Sequence, residues 1–224
     1  MQAPFLDNEE TVKLFRVAIS ETRFARYLST SNGEVKLAVG LYHWNTELSK
    51  SLYSSLQMWE VVLRNKLNAF LCWKYTANWP YDEKRALRQL TSGERKKLND
   101  AIDRQRQLRG IKHVPTDAIV ADLSAGFWVS LMSKSYEVPF SWRYNLARIC
   151  PKDSTISRAE FFKLCGELLD LRNRVAHHEP VYHLPLEELR GQLDRTIGAM
   201  CSASKDYAAL TCTFKATWNT NPLS

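Results

Sequence analysis

Apolar residues recur at steps of three and four along most of this chain, which is the spacing of one buried face of an α-helix. The longest such run extends from Glu34 to Phe70, and no proline interrupts it before Pro80. Its apolar positions are Leu37, Leu41, Trp44, Leu48, Leu52, Trp59, Leu63, Leu67 and Phe70. This run predicts one long central helix, and its bulky aromatic residues suit a globular core better than a coiled-coil seam.

Shorter helices are predicted on both sides of the central one. A first helix is capped by Asp7, which forms a capping box with Glu10, and ends near Leu28. The further predicted helices cover residues 82–90, 94–108, 116–131 and 157–171, and a last one begins near Pro185. No segment alternates between polar and apolar residues as a half-buried strand does. The sequence therefore predicts an all-α helical bundle.

The helix over residues 157–171 leads into an unusual polar segment. It opens with a capping box of Ser157 and Glu160. Its buried stripe consists of Phe161, Leu164, Leu168, Leu171 and Val175. Pro180 is predicted to halt this helix, because proline lacks a backbone donor and clashes with the preceding turn. Residues 171–180, LRNRVAHHEP, thus place arginine, asparagine and two histidines at a helix end.

Length and charge narrow the class of protein. The 224 residues suit one domain, 1–224, or two closely packed lobes, 1–110 and 111–224, and we favour the single domain. A formal net charge of +7 attracts polyanions, which makes nucleic acid the leading class of partner. The helix over 94–108 is strongly basic, but acidic residues are interleaved with its arginines and lysines. A solvated face is favoured there over a phosphate-binding one.

Composition also excludes several classes of protein. The five cysteines are scattered, without the paired spacing of zinc or redox sites, and are interpreted as reduced core residues. No secretory signal is visible at the N-terminus, and the most apolar window, residues 118–132, is too short to span a bilayer. We expect a cytoplasmic protein without a membrane partner.

The residue types in the polar segment suit RNA cleavage without a metal. A base must take the proton of the 2′-hydroxyl, an acid must protonate the leaving 5′-oxygen, and a fixed cation must stabilise the charged transition state. Histidine exchanges protons near neutral pH, and arginine stays charged and grips phosphate oxygens. Asn173 and His177 are four residues apart and share a helix face. Arg172 lies off that face, and His178 projects about 100° away from His177.

Other interpretations of the same segment remain open. The arginine, asparagine and histidines can act as a structural cap of the helix end, paired with Glu179, since cations near a helix C-terminus are favourable. A zinc site of His177, His178, His183 and Glu179 is less favoured, because adjacent histidines cannot share one face. No serine or cysteine has the local signature of a hydrolase nucleophile, and no glycine-rich phosphate loop occurs.

The segment resembles the signature of the HEPN superfamily, in which an arginine is followed after four to six residues by a histidine. Four residues separate Arg172 from His177 and five separate it from His178. Residues 59–65, WEVVLRN, and 123–128, LSAGFW, resemble the Abi-like, abortive-infection branch of that superfamily. The resemblance covers most of the chain, from about Arg23 to Leu193.

This resemblance implies a helical fold and a metal-independent endoribonuclease that leaves a 2′,3′-cyclic phosphate. In that superfamily two motif-bearing surfaces meet, usually across a dimer, so this chain with one complete motif is expected to form a two-fold homodimer. Arg172 is then the phosphate clamp, Asn173 the polar positioning residue and His177 the general base or acid. His178 is a supporting residue or the alternate catalyst. No metal or other cofactor is expected.

A second arginine-asparagine pair lies in the central helix. Residues 63–67, LRNKL, echo residues 171–175, LRNRV, but Ala69 stands where His177 would be. This is either a catalytically silent internal echo or chance, and Glu60 and Arg64 can equally form a salt bridge one turn apart. The residues expected to bind RNA or support the site are Glu60, Arg64, Asn65 and Arg174.

Three functions remain open from the sequence. The first is an endoribonuclease of a phage-defence (abortive infection) or toxin-antitoxin system, with RNA as substrate and an antitoxin or a non-coding RNA as regulator. The second is a non-catalytic RNA-binding or scaffold domain that acts with a regulatory RNA or protein. The third is a structural helical protein in which the histidines only cap a helix.

Overall fold

The computed structural model describes Phe5 and residues 7–223. The chain is all-α, as predicted: 75% of it is helical, and the described part contains no strand. The α-helices are α1 (Glu9–Ile19), α2 (Glu21–Thr30), α3 (Val35–Lys74), α4 (Ala86–Gln89), α5 (Ser92–Arg109), α6 (Thr116–Asp122), α7 (Ala125–Ser130), α8 (Glu137–Phe140), α9 (Trp142–Ile149), α10 (Arg158–Ala176), α11 (Leu186–Met200), α12 (Ser202–Leu210) and α13 (Phe214–Trp218). Short 3₁₀ turns occur at Trp79–Tyr81 and Lys134–Tyr136.

The predicted long helix is confirmed as α3, which has 40 residues. Eight of its nine predicted core positions are buried, and Leu37 alone is partly exposed. Trp59, Leu48, Leu52 and Leu67 are completely inaccessible to solvent. Because apolar burial is the main favourable contribution to folding, this single helix supplies core residues along most of its length.

The beginning of the chain differs from its prediction in two respects. Asn8, not Asp7, caps α1: its Oδ1 accepts a hydrogen bond of 2.9 Å from the backbone N–H of Thr11. Asp7 is instead paired with Lys36 at 3.0 Å. The single predicted helix is also divided in two, because Ser20 adopts a φ of 73° and interrupts the helical hydrogen bonds between α1 and α2.

Two further predicted helices are shorter than expected. Helix formation over residues 82–90 is limited to Ala86–Gln89, since the Asp82 side chain accepts from the Arg85 N–H at 3.0 Å and holds a turn there. The helix over residues 116–131 is divided into α6 and α7 by extended backbone at Leu123 and Ser124. Hydrophobic periodicity alone therefore overestimated the length of both segments.

The chain forms two compact units, each built from separate segments. Unit 1 contains Met1–Ser54, Asn173–Leu186 and Thr211–Ser224. Unit 2 contains Ser55–Arg172 and Glu187–Leu210. The helices α3 and α10 each contribute residues to both units. The expected single domain, and its alternative division at residue 110, remain predictions.

Unit 1 has an aromatic centre on α2. Tyr27 is 1% exposed and packs against Tyr42 and Tyr182, with ring centroids 5.0 Å and 5.5 Å away. Trp44 packs against Trp218 and donates its indole N–H to the Thr217 carbonyl at 2.8 Å. These contacts bring segments from both ends of the chain together with residues 173–186 within this unit.

Unit 2 is built around a larger aromatic core. Its fully buried rings include Trp59, Trp79, Trp128, Trp142, Tyr136, Phe127, Phe140 and Phe161. The backbone N–H of Glu160 donates to Ser157 Oγ at 3.1 Å, which fixes the start of α10 as predicted. The Glu160 carboxylate does not complete the capping box, because it pairs with Arg195 on α11 at 2.7 Å.

A buried carboxylate in unit 2 is held by hydrogen bonds. The Glu94 carboxylate accepts from the Thr91 hydroxyl and from the Tyr136 hydroxyl, the latter at 3.1 Å, and it lies 3.6 Å from the Lys97 ammonium. Desolvation by burial raises the pKa of Glu94. The hydrogen bonds from Thr91, Ser130 and Tyr136, together with the charge of Lys97, outweigh this effect, so that the net pKa is lowered.

The basic helix over residues 94–108 corresponds to α5, and its cations are mostly paired. Lys96 lies 2.6 Å from Asp100, Arg104 lies 2.8 Å from Asp122, and Arg106 lies 3.1 Å from Asp103. Arg95 and Lys97 also lie near carboxylates. This pairing agrees with the solvated face favoured from the sequence.

The cysteines agree only partly with the prediction. All five are free thiols; Cys150 and Cys165 are buried, while Cys72, Cys201 and Cys212 are partly exposed.

In the part of the chain that is described, no helix is both long and apolar enough to cross a membrane.

Candidate active site at the end of α10

The helix α10 ends in a tight backbone turn made by the two adjacent histidines. His177 still donates its N–H to the Asn173 carbonyl at 2.9 Å, as in a helix. The N–H of His178 then donates to the Val175 carbonyl at 3.2 Å, and the N–H of Glu179 donates to the Arg174 carbonyl at 2.8 Å. His178 has a φ of 57°. This is the hydrogen-bond pattern of a Schellman motif, which usually has glycine at the position of His178.

This turn corrects the predicted end of the helix. Pro180 was expected to halt α10, but the helix ends at Ala176, four residues earlier, where the left-handed conformation of His178 reverses the chain. The turn also changes the expected relation between the side chains of the two histidines. A rotation of about 100° per residue applies only while the helix continues, so it does not describe the relation of His178 to His177.

The backbone of the turn satisfies the last carbonyls of the helix, so the imidazoles are not needed for that purpose. Both His177 and His178 are exposed. Arg174 contacts Glu179 at 3.3 Å, an ion pair across the first and last residues of the turn. The carbonyls that the histidines were expected to cap are thus already satisfied by backbone N–H groups. Arg174 and Glu179, by contrast, do stabilise the helix end through their ion pair.

Two residues distant in sequence hold this turn within unit 1. The guanidinium of Arg23 on α2 donates to the His178 carbonyl at 2.8 Å. Asn45 on α3 is 5% exposed, and its side-chain oxygen accepts from the backbone N–H groups of Val181 at 2.7 Å and Tyr182 at 3.2 Å. Sequence reasoning missed both residues. The residues that they contact are more than a hundred positions away in the sequence, and no local pattern around Arg23 or Asn45 predicts these contacts.

Arg172 lies one turn before the C-terminus of α10 and belongs to unit 2. Its Nε donates to the Glu60 carboxylate of α3 at 3.0 Å, and its side chain is 37% exposed. Glu60 is thus paired with Arg172 and not with Arg64, the partner suggested by their spacing. A guanidinium is planar and carries a fixed fork of donors, so an ion pair through Nε orients the whole group.

The other expected residues lie on α10 and α3. Asn173 is partly buried on α10. Arg64 and Asn65, the echo of the motif on α3, are adjacent in the chain and contact each other weakly, with Arg64 Nε 3.5 Å from Asn65 Oδ1. No further geometry distinguishes this echo from chance.

Positive charge surrounds the turn on the side of α2. The pKa of His183 is lowered from its ordinary value, first by desolvation and then by the nearby charges of Arg174 and Arg26. Among the residues that are described, no group of three or more His, Cys, Asp or Glu side chains could hold a metal ion. The zinc interpretation of His177, His178, His183 and Glu179 therefore has no support in the structure.

Comparison with protein families gives one match. The family model of the Abi-like proteins matches residues 12–183, which begin within α1 and include α2 to α10 and the whole turn. Comparison with curated proteins and with solved structures gives no match.

Proposed function

Because the chain belongs to the Abi-like protein family, which suggests a function related to abortive infection, we propose that it is a metal-independent endoribonuclease. In this proposal it acts in phage defence, as an abortive-infection protein or as the toxin of a toxin-antitoxin pair. Its assignment to the HEPN superfamily is part of the same proposal and is consistent with the family match.

The observation that carries the proposal is the exposed pair of histidines on a turn that does not need them as caps. His178 keeps a left-handed backbone that glycine would adopt at less cost. Such strained residues concentrate at functional sites, and the inference runs from the strain to a functional hypothesis. His177 stands beside it at the end of the same helix. Both imidazoles are accessible to a large substrate.

The proposed chemistry uses groups that this segment provides. One imidazole removes the proton of the 2′-hydroxyl, whose oxygen then attacks the adjacent phosphorus. The bond from phosphorus to the 5′-oxygen breaks, and a protonated imidazole gives its proton to that oxygen. The products are a 2′,3′-cyclic phosphate and a free 5′-hydroxyl. Arg172, oriented by Glu60, stabilises the charge on the phosphoryl oxygens, and Asn173 orients an imidazole or the substrate.

A homodimer is part of the proposal because acid and base must act on opposite sides of one phosphate. In a two-fold dimer the same surface of each subunit meets its copy, so two turns and two Arg172 side chains can face one RNA strand. The histidine of one subunit then acts as base and that of the other as acid. RNA is the substrate, and the regulator is an antitoxin or a non-coding RNA.

The proposal is tested by cleavage of a labelled single-stranded RNA in the presence of EDTA. Arg172→Ala, His177→Ala and His178→Ala are compared with His113→Ala, which removes an exposed histidine that stacks on Tyr81 in unit 2. We expect cleavage to fall at least about 100-fold in Arg172→Ala and in one of the two histidine variants, and to stay unchanged in His113→Ala.

Two outcomes contradict the proposal in different ways. Undiminished cleavage in all three motif variants removes the assigned residues from the reaction. RNA binding without any cleavage by the wild-type homodimer supports instead the non-catalytic RNA-binding or scaffold function.

A further inference from the structure

An open pocket lies beside the turn, entirely within unit 1. Its volume is about 340 Å³, and it is lined by Ser20, Thr22, Arg23, Arg26, Glu179 and Pro180. Two of these residues belong to the segment 171–180, and the others belong to α2 and its N-cap. The pocket thus adjoins the residue next to His178.

The charges around this pocket favour an anion. Arg23 and Arg26 are three residues apart on α2, so their side chains emerge on neighbouring positions of one face. The one acidic lining residue, Glu179, is already paired with Arg174 at 3.3 Å. Desolvation is the main cause of the lowered pKa of His183, and the positive charges of Arg174 and Arg26 lower it further, so both guanidinium groups act on this side of the turn.

Arg26 is available to a ligand. Its side chain is exposed, and among the described residues its guanidinium makes no hydrogen bond or ion pair. Arg23 uses Nη1 for the His178 carbonyl at 2.8 Å. Since a guanidinium carries five N–H donors, Arg23 can hold the turn and still present donors to the pocket.

We propose that this pocket is a phosphate subsite that binds the RNA backbone next to the cleaved bond, with Arg26 as the binding residue and Arg23 as the link to the turn. The inference rests on the proposed ribonuclease function and adds a substrate-binding residue to it. A phosphodiester is the fitting ligand because arginine pairs with two of its oxygens through parallel donors. Because Arg23 both lines the pocket and holds the His178 carbonyl, a phosphate bound there lies close to His178. The subsite thus positions the strand for the reaction.

The test separates binding from cleavage. Arg26→Ala is compared with Arg88→Ala on α4, since Arg88 is also exposed and its guanidinium makes no hydrogen bond or ion pair among the described residues. Both variants lose one positive charge, and neither removes a side-chain hydrogen bond or ion pair. Affinity is measured with a 2′-O-methyl RNA oligonucleotide, which lacks the attacking hydroxyl, over a series of salt concentrations, and KM and kcat are measured with unmodified RNA.

For Arg26→Ala we expect affinity to fall roughly 3- to 10-fold, with a salt slope reduced by about one unit. The loss should appear in KM, with kcat within about twofold of wild type, because a contact to a phosphate that does not itself react contributes equally to the ground and transition states. Arg26→Lys should recover part of the affinity, since lysine restores the charge but not the paired donors. Arg88→Ala should match wild type.

The proposal is wrong if Arg26→Ala and Arg88→Ala bind and cleave RNA equally well while the motif variants are inactive. That outcome leaves the ribonuclease function intact. If the wild-type protein neither binds the oligonucleotide nor cleaves RNA, the ribonuclease function fails, and this subsite fails with it.

Discussion

Replacing His178 with glycine should stabilise the fold and abolish the reaction if this histidine is the catalyst. At φ 57° a side chain with a Cβ is disfavoured by roughly 1–2 kcal/mol, and histidine lies at the low end because it tolerates this region better than most residues. Glycine adopts it without that cost. Residue 178 takes part in the hydrogen bonds of the turn only through its backbone N–H and its carbonyl, which accepts from Arg23, so these bonds can persist in His178→Gly.

The expected gain is about 1 kcal/mol, which for a chain of this size raises Tm by roughly 2–4 °C. Thermal unfolding followed by circular dichroism measures it. His177→Gly is the matched control, because the N–H of His177 still makes a helical hydrogen bond. Glycine at this position should lower the free energy of unfolding by roughly 0.5–1 kcal/mol. The two adjacent substitutions should therefore shift Tm in opposite directions. A decrease in Tm for His178→Gly as large as that for His177→Gly would refute the assignment of strain to the turn.

Three further predictions concern other parts of the structure. Asn45→Ala should lower the free energy of unfolding by about 2–4 kcal/mol in a denaturant titration, because the buried N–H of Val181 and the partly buried N–H of Tyr182 lose their acceptor; a change below about 0.5 kcal/mol would contradict this. Glu60→Gln should change stability by less than about 1 kcal/mol but lower kcat roughly 10-fold, since Arg172 loses its orienting charge. Equal kcat would show that the ion pair does not matter for catalysis. The folded-state pKa of Glu94 is lowered, so its stabilising contribution is present above the unfolded pKa of about 4.3 and is lost as pH falls through the folded value. Below about pH 4, Tm of the wild type should fall more steeply than that of Glu94→Gln, and parallel curves would contradict this.

The sequence predicted those features of the fold that depend on periodic burial. The long run of apolar positions identified α3, and the helix predicted over residues 94–108 corresponds to α5, which ends at Gly110 with a φ of 64°. The errors occurred where a local hydrogen bond or an unusual dihedral angle interrupted a helical pattern. At Ser20 and at Leu123 the periodicity continues through the break, so composition alone gives no sign of it.

The candidate site was predictable only as a set of residue types. The motif marked Arg172, Asn173, His177 and His178 as candidates because they lie close together in the chain. The partners of these residues lie elsewhere: Glu60 precedes Arg172 by 112 positions, and Arg23 precedes His178 by 155. Such pairs depend on tertiary packing, which a single sequence does not encode in any local pattern. The left-handed backbone conformation of His178 could not be predicted from the sequence either, since glycine is the usual residue at that position.

The chemistry of the RNA ends tests the central claim most directly. The wild-type protein is incubated with a single-stranded RNA oligonucleotide in EDTA, and the fragments are analysed by mass spectrometry. The proposed mechanism predicts 2′,3′-cyclic phosphates on the upstream fragments and free 5′-hydroxyls on the downstream ones, and no cut at a position that carries a 2′-deoxyribose. Fragments with 5′-phosphates, or cleavage only when a divalent metal is present, would contradict it.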